Sequence, residues 1–215
     1  MISIVLCDDH EIVRKGLRQL LQEQPGFLVL ADVASGEELL KELRNTQPDV
    51  VLLDLALPGR SGLEVLKQLR LLQPEIKVLV LSMYPEDQFA LRVIKAGAQG
   101  YLHKDSPPQQ LTEAVRAVAE GKKYVSPHMV EILFNEVALK NNNQPLHAAL
   151  SDREMEVLLL LAEGKKLSEI AGALSLSVKT VSTYKMRIFE KLRLKSLTAI
   201  SRYVTEHGLV KNVEG

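Results

Sequence analysis

Four strings decide the fold of this chain: CDDH at 7–10, LLDLALPG at 52–59, VLSM at 80–83 and YLHKD at 101–105. Each follows or ends an apolar run that reads as a buried strand, within ISIVLC, VVLLD, KVLVLS and GYLH. A further run, VLAD at 29–32, makes five. Between and after them lie EIVRKGLRQLLQE, SGEELLKELRN, SGLEVLKQLRLL, PEDQFALRVIKAG and PPQQLTEAVRAVAEG, all helical in pattern. In the first of these Val13, Leu17, Leu20 and Leu21 recur at helical spacing. Gly26, Gly97 and Gly100 punctuate the expected helix exits. Five strand–helix units predict an α/β domain with a doubly wound, parallel five-stranded sheet, helices covering both faces.

That arrangement places Asp8, Asp9, Asp54, Ser82 and Lys104 at the C-terminal ends of parallel strands, the edge where open α/β sheets bind ligands. A lone Asp at a strand end is usually a helix cap, and the Asp8–Asp9 pair and Ser82 could be read that way too. Capping does not explain Asp, Asp, Ser and Lys at four successive strand ends. Three converging carboxylates repel one another. A hard cation relieves this, and Mg²⁺ takes oxygen ligands while keeping several waters. Asp9 and Asp54 are expected to ligate directly and Asp8 through water. With the amine of Lys104, the set suits a divalent cation and a phosphoryl group.

The chain has 215 residues, enough for two small domains. Its single cysteine, Cys7, excludes an internal disulfide and reads as a buried thiol. No apolar stretch is long enough to span a membrane. MISIVLCDDHE lacks a basic segment ahead of its apolar run and reads as a strand rather than a signal peptide, which fits a cytoplasmic protein. The net charge is zero but unevenly spread. Residues 1–120 carry 13 basic and 17 acidic side chains, whereas residues 165–202 carry 9 against 2. A local basic excess of that size suits a polyanion, though a solvated helical face would show it as well.

After residue 121 the pattern changes. SPHMVEILFNEVALK reads as one helix, with Ser126 as cap and Pro127 at its first position. NNNQP at 141–145 is the expected break. Beyond it, SDREMEVLLLLAEG, SEIAGALS, VKTVSTYKMRIFEKL and SLTAISRYVTEHG predict a small all-α bundle of four helices. The expected division is a first domain over 1–121, a helix-bearing linker over 122–146 and a second domain over 147–215.

With Asp8, Asp9, Asp54, Ser82 and Lys104 in this order, residues 1–120 resemble the receiver domain of two-component response regulators. The resemblance implies a flavodoxin-like strand order 2-1-3-4-5. It makes Asp54 the phosphoacceptor and nucleophile, with Mg²⁺ held by Asp8, Asp9, Asp54 and the backbone carbonyl of Ala56. Lys104 would neutralise the phosphoryl group, Ser82 would hydrogen-bond it, and Tyr101 would then turn toward the interior. Two positions that affect how water reaches the phosphoryl group are Ala56, which has no polar side chain, and Tyr84, which could cover the site.

LSDREMEVLLLLAEGKKLSEIAGALSLSVKTVSTYKMRIFEKLRLKS resembles the LuxR-type helix-turn-helix of the NarL/FixJ response regulators, and its last helix looks closest to the GacA/UvrY-like branch. Ser151 and Glu154 match a capping box. Ser177 can cap the recognition helix, Val178 to Leu192. Val181, Ile188 and Leu192 should face the core, with Lys179, Ser182, Thr183, Met186 and Glu190 roughly opposite. Ser182 and Thr183 are then the base-reading candidates. Lys179, Lys185, Arg187 and Lys191 suit phosphates, which position without specifying. Tyr184 either bonds a phosphate or packs at the helix edge.

The reading is a DNA-binding transcriptional regulator, not an enzyme, switched by phosphorylation of Asp54 from a sensor histidine kinase. Its implied partners are promoter DNA, RNA polymerase as a further candidate, and a second copy of itself when phosphorylated. A Mg²⁺-dependent phosphohydrolase with an aspartyl nucleophile is the competing reading. Such enzymes need a second acid two residues after the nucleophile, and that position is Ala56.

Overall fold

The structure is a computed structural model that describes residues 1–127, 129–131 and 145–209. It comprises two units, Met1–Ala138 and Leu139–Gly215.

In the first unit, strands and helices alternate as the apolar runs require. The strands are β1 (Ile2–Cys7), β2 (Phe27–Val33), β3 (Val50–Leu53), β4 (Lys77–Ser82) and β5 (Gly100–His103). The helices are α1 (Glu11–Gln22), α2 (Gly36–Glu42), α3 (Gly62–Leu72), α4 (Glu86–Lys95) and α5 (Pro108–Ala119). All strand pairs are parallel, in the order β2-β1-β3-β4-β5. The central strands β3 and β4 are buried along nearly their whole length because helices cover both faces. Strand β2 is an edge, and there Leu28 and Leu30 are exposed.

Register places the site. Cys7 pairs with Leu53 and Leu53 with Val80, so β1 and β3 end side by side and β4 runs two residues further, to Ser82. Asp8 and Asp54 are the next residues, and the Asp54 N–H donates to the Cys7 carbonyl at 2.9 Å.

Gly26 and Gly97 leave α1 and α4 at positive φ, as expected of helix exits. Gly100 does not. It is the first residue of β5, and a Cβ there would lie 2.7 Å from the Tyr124 carbonyl oxygen. Its lack of a side chain admits the segment after α5: Tyr124 N–H donates to Gln99 O at 2.9 Å and Tyr101 N–H to Tyr124 O at 3.1 Å. This bridge caps an otherwise open sheet edge.

The helix expected at Pro127 begins there. The Ser126 hydroxyl accepts from the Met129 N–H at 3.1 Å and donates to Glu86 Oε2 at 2.8 Å. The remainder of that expected helix, and NNNQ of the expected break, lie outside the described residues.

The second unit opens with a short 3₁₀ turn, Leu146–Ala149. Four α-helices follow among the described residues: α6 (Asp152–Ala162), α7 (Leu167–Ala173), α8 (Val178–Leu192) and α9 (Leu197–Glu206). The expected capping box is formed, Ser151 Oγ accepting from Glu154 N–H at 3.3 Å and Glu154 Oε2 from Ser151 N–H at 2.7 Å. Ser177 caps α8 through the Thr180 N–H at 3.0 Å. Val157, Leu158, Ile170, Val181, Ile188, Leu192, Ile200 and Val204 are buried, so the expected core face of α8 is the inner one. Even the Arg153–Glu156 ion pair on α6, 2.5 Å long, is buried.

Candidate functional site

At the C-terminal edge of the sheet, Asp8 and Asp54 are buried and share one cation. Lys104 Nζ lies 2.7 Å from Asp8 Oδ2 and 2.7 Å from Asp54 Oδ2. Lys104 reaches there because its own N–H bonds the Ser82 carbonyl at 2.9 Å, holding the turn after β5 against the end of β4. The other oxygens take backbone donors. Asp54 Oδ1 accepts from Ala56 N–H at 3.2 Å and Asp8 Oδ1 from His10 N–H at 2.9 Å. Burial pushes the Asp54 carboxyl above its ordinary pKa, and the Lys104 ammonium offsets only part of this. Burial alone would lower the Lys104 pKa, but the two carboxylates outweigh it and the ammonium is raised.

Asp9 is the third acid. Its Oδ1 is buried, takes no hydrogen bond, and faces His10 Nδ1 at 2.8 Å. Asp8, Asp9, His10 and Asp54 each offer a ligand atom within 4.8 Å of the others. Three carboxylates this close, two of them buried around a single ammonium, fit a hard cation.

Ser82 is fully buried, and its Oγ accepts from the Tyr84 N–H at 3.2 Å. It does not cap α4, whose N-cap is Pro85. Tyr101 is already inside, 1% exposed, with its hydroxyl donating to the Tyr84 carbonyl at 2.6 Å and close to the Ser82 hydroxyl. Burial pushes its phenol up. Tyr101 thus takes the inward orientation that the resemblance to receiver domains leads one to expect of the switched form. Tyr84 stacks on Phe89, ring centroids 4.6 Å apart, which fixes the loop after β4.

Two positions near the site escaped sequence reasoning. Arg14 donates to the Asp8 carbonyl at 2.6 Å and to Asp32 Oδ2 at 3.3 Å, bracing the turn that carries Asp8 and Asp9. An Arg five residues after an acidic pair was a local signal. Gly62, at the start of α3, lies against the Asp54 carbonyl and leaves no room for a Cβ. That is a packing contact with no sequence signature.

On α8, Lys179, Ser182, Met186 and Arg187 are exposed, while Thr183, Tyr184 and Lys185 are half-buried. Two expectations change. Lys191 does not present a free charge: its Nζ lies 2.6 Å from Glu154 Oε2 and 3.2 Å from the Ala149 carbonyl, so it ties α8 to the start of α6. Burial alone would raise the Glu154 pKa, but Lys191 and the Ser151 bonds overcome this and hold the carboxyl below the ordinary range. The Thr183 hydroxyl donates to the Lys179 carbonyl at 3.0 Å, so it has no donor to spare for a base. Lys185 sits over the Phe189 ring at 5.9 Å, its ammonium at the helix surface.

Comparison with known proteins agrees with both units. The family described as response regulator receiver domain matches residues 4–116. The chain belongs to the response regulators. Its second unit matches bacterial regulatory proteins, luxR family, over residues 148–204. Over 210 residues the chain is 34% identical to response regulator UvrY of Escherichia coli K12, covering 97% of this chain and 96% of that one. It is 38% identical over 214 residues to response regulator GacA of Pseudomonas aeruginosa, covering 98% of each. Among solved structures it is similar to RcsB of Salmonella enterica serovar Typhimurium bound to promoter rprA in the presence of phosphomimetic BeF₃⁻. The identity there is 26%, the TM-score 0.64, and the coverage 95% of this chain and 98% of that one. This response regulator thus combines a receiver domain with a LuxR-type DNA-binding domain, in the GacA/UvrY branch of the NarL/FixJ regulators. No described helix is long and apolar enough to cross a membrane.

Proposed function

We propose that Asp54 accepts a phosphoryl group from a sensor histidine kinase and that the aspartyl-phosphate controls binding of α8 to promoter DNA. The observation that carries this is the Asp8–Lys104–Asp54 bridge at the sheet edge, 2.7 Å on each side. A carboxylate oxygen of Asp54 attacks phosphorus. The P–O bond forms as the P–N bond of phosphohistidine breaks, and the departing imidazole takes up a proton. The reaction needs positioning and charge neutralisation rather than proton chemistry at the nucleophile. Lys104 supplies a fixed positive charge beside the acceptor. Mg²⁺, held by Asp9, Asp54 and the Ala56 carbonyl with Asp8 through water, would neutralise the remaining phosphoryl charge.

Ser82 is placed to read the product. Its Oγ accepts from Tyr84 while its O–H bonds the Tyr101 hydroxyl oxygen, so donation to a phosphoryl oxygen would draw that proton away from Tyr101. Tyr84 is also the acceptor for Tyr101, so a shift of Ser82 is felt by both aromatic side chains. In the second domain, Lys179, Lys185 and Arg187 would bind phosphates, Ser182 would read a base edge with Thr183 packed beside it, and Tyr184 would bond a phosphate or pack at the helix edge. A phosphorylated homodimer would engage two half-sites, in keeping with the RcsB structure described as two dimers bound to two parallel DNAs. The test is promoter affinity before and after acetyl phosphate with Mg²⁺. A shift for the wild type and none for Ser82→Ala is expected. An equal shift in both would remove Ser82 from the switch.

A further inference from the structure

The exposed face of α8 carries apolar side chains that a phosphate-contacting helix does not need. Val178 is 49% exposed and Met186 64%. With Ser182 they stand at i, i+4 and i+8, on one line along the helix. The line borders an open cleft of about 500 Å³ floored by Leu167 and Phe189 and flanked by Lys179 and Lys185. Thr183, with its hydroxyl turned back to the Lys179 carbonyl, adds no donor to this surface. The core of the domain does not use these side chains, because Val181, Ile188 and Leu192 hold the inner face.

We infer that Val178 and Met186 read thymine through its C5-methyl group in the major groove. This rests on the proposed reading of α8 as the recognition helix. The occupant follows from the surroundings. Nine basic and two acidic side chains between residues 165 and 202 favour a polyanion over another protein surface. Within the major groove the apolar feature of the base pairs is the thymine methyl. Eight residues of helix rise about 12 Å, which spans roughly three to four base-pair steps of 3.4 Å. The two side chains therefore touch separate thymines within one half-site. Ser182, between them, takes the polar base edge.

The test replaces each thymine of a footprinted half-site with uracil, one at a time. Uracil keeps every hydrogen-bonding group and loses only the methyl. Wild-type protein is expected to lose about three- to fourfold in affinity at each of two positions, the amount for one buried methyl. Met186→Ala should erase the loss at one position and keep it at the other, and Val178→Ala the reverse. Uracil at every position without effect would overturn the inference. So would variants that keep the full wild-type pattern of sensitivity. A protein that binds neither promoter nor random DNA at low salt would instead overturn the reading of α8 as a DNA-binding helix.

Discussion

The Lys104 ammonium and the Asp54 carboxylate lie 2.7 Å apart, with the side chains 9% and 1% exposed. Two buried carboxylates, Asp8 and Asp54, depend on this one cation for compensation. Lys104→Met is expected to destabilise the receiver domain by about 3 kcal/mol in the absence of divalent ions, because it leaves buried charge unpaired. Added Mg²⁺ should recover much of that loss, whereas the wild type should gain less from it. Urea denaturation with Mg²⁺ and with a chelator measures both. Equal Mg²⁺ effects on the two proteins would mean the cation does not bind among these carboxylates.

Gly62 sets how closely α3 approaches the phosphoacceptor. An alanine Cβ would press on the Asp54 carbonyl and stand 2.7 Å from Leu55 Cα, both backbone groups that cannot rotate away. Gly62→Ala should cost about 1–3 kcal/mol and slow phosphate uptake by moving Asp54. Phosphorylation kinetics of the folded variant test the second part; an unchanged rate would show that the turn absorbs the methyl.

Lys191 belongs to the fold of the DNA-binding domain. Losing its ion pair and hydrogen bond should lower that domain's stability by roughly 1–2 kcal/mol near neutral pH. Glu154 has its pKa depressed below the ordinary 4.5 in the folded state. Its contribution is therefore fully present above about 4.5 and is lost as pH falls through the folded value. The gap between wild type and Lys191→Ala should narrow correspondingly in acid. Denaturation midpoints from pH 7 down to pH 3 would reveal a gap that stays constant if the pair does not contribute.

Lys185 and Arg187 contrast with Lys191. Alanine at either of the first two should weaken binding to promoter and random DNA alike and reduce the salt slope by about one unit each. Alanine at Lys191 should leave the salt slope in place. Titrations at several salt concentrations decide this. A reduced slope for Lys191→Ala alone would mean the Glu154 pair opens on DNA.

The strands and their shared edge were legible because strand ends were marked by chemistry; the strand order came from the resemblance to receiver domains. Asp8, Asp54, Ser82 and Lys104 each follow or close an apolar run, and parallel register aligns those ends. Local rules also located Ser151, Ser177 and the core face of α8. What sequence did not reveal was long-range. Lys191 looks like any basic residue on an exposed helix until Glu154, 37 positions earlier, folds beneath it. Gly100 looks like a helix stop until Tyr124 packs against it. Whether Tyr101 lies in or out depends on a hydrogen bond to the Tyr84 carbonyl, 17 positions away.

The most direct measurement is the intact mass of wild-type and Asp54→Asn protein after acetyl phosphate and Mg²⁺, with the modified peptide sequenced. The wild type should gain the mass of a single phosphoryl group, lost on treatment with hydroxylamine as an acyl phosphate requires, and Asp54→Asn should gain none. Undiminished phosphorylation of Asp54→Asn, or a phosphopeptide that does not contain residue 54, would contradict the assignment.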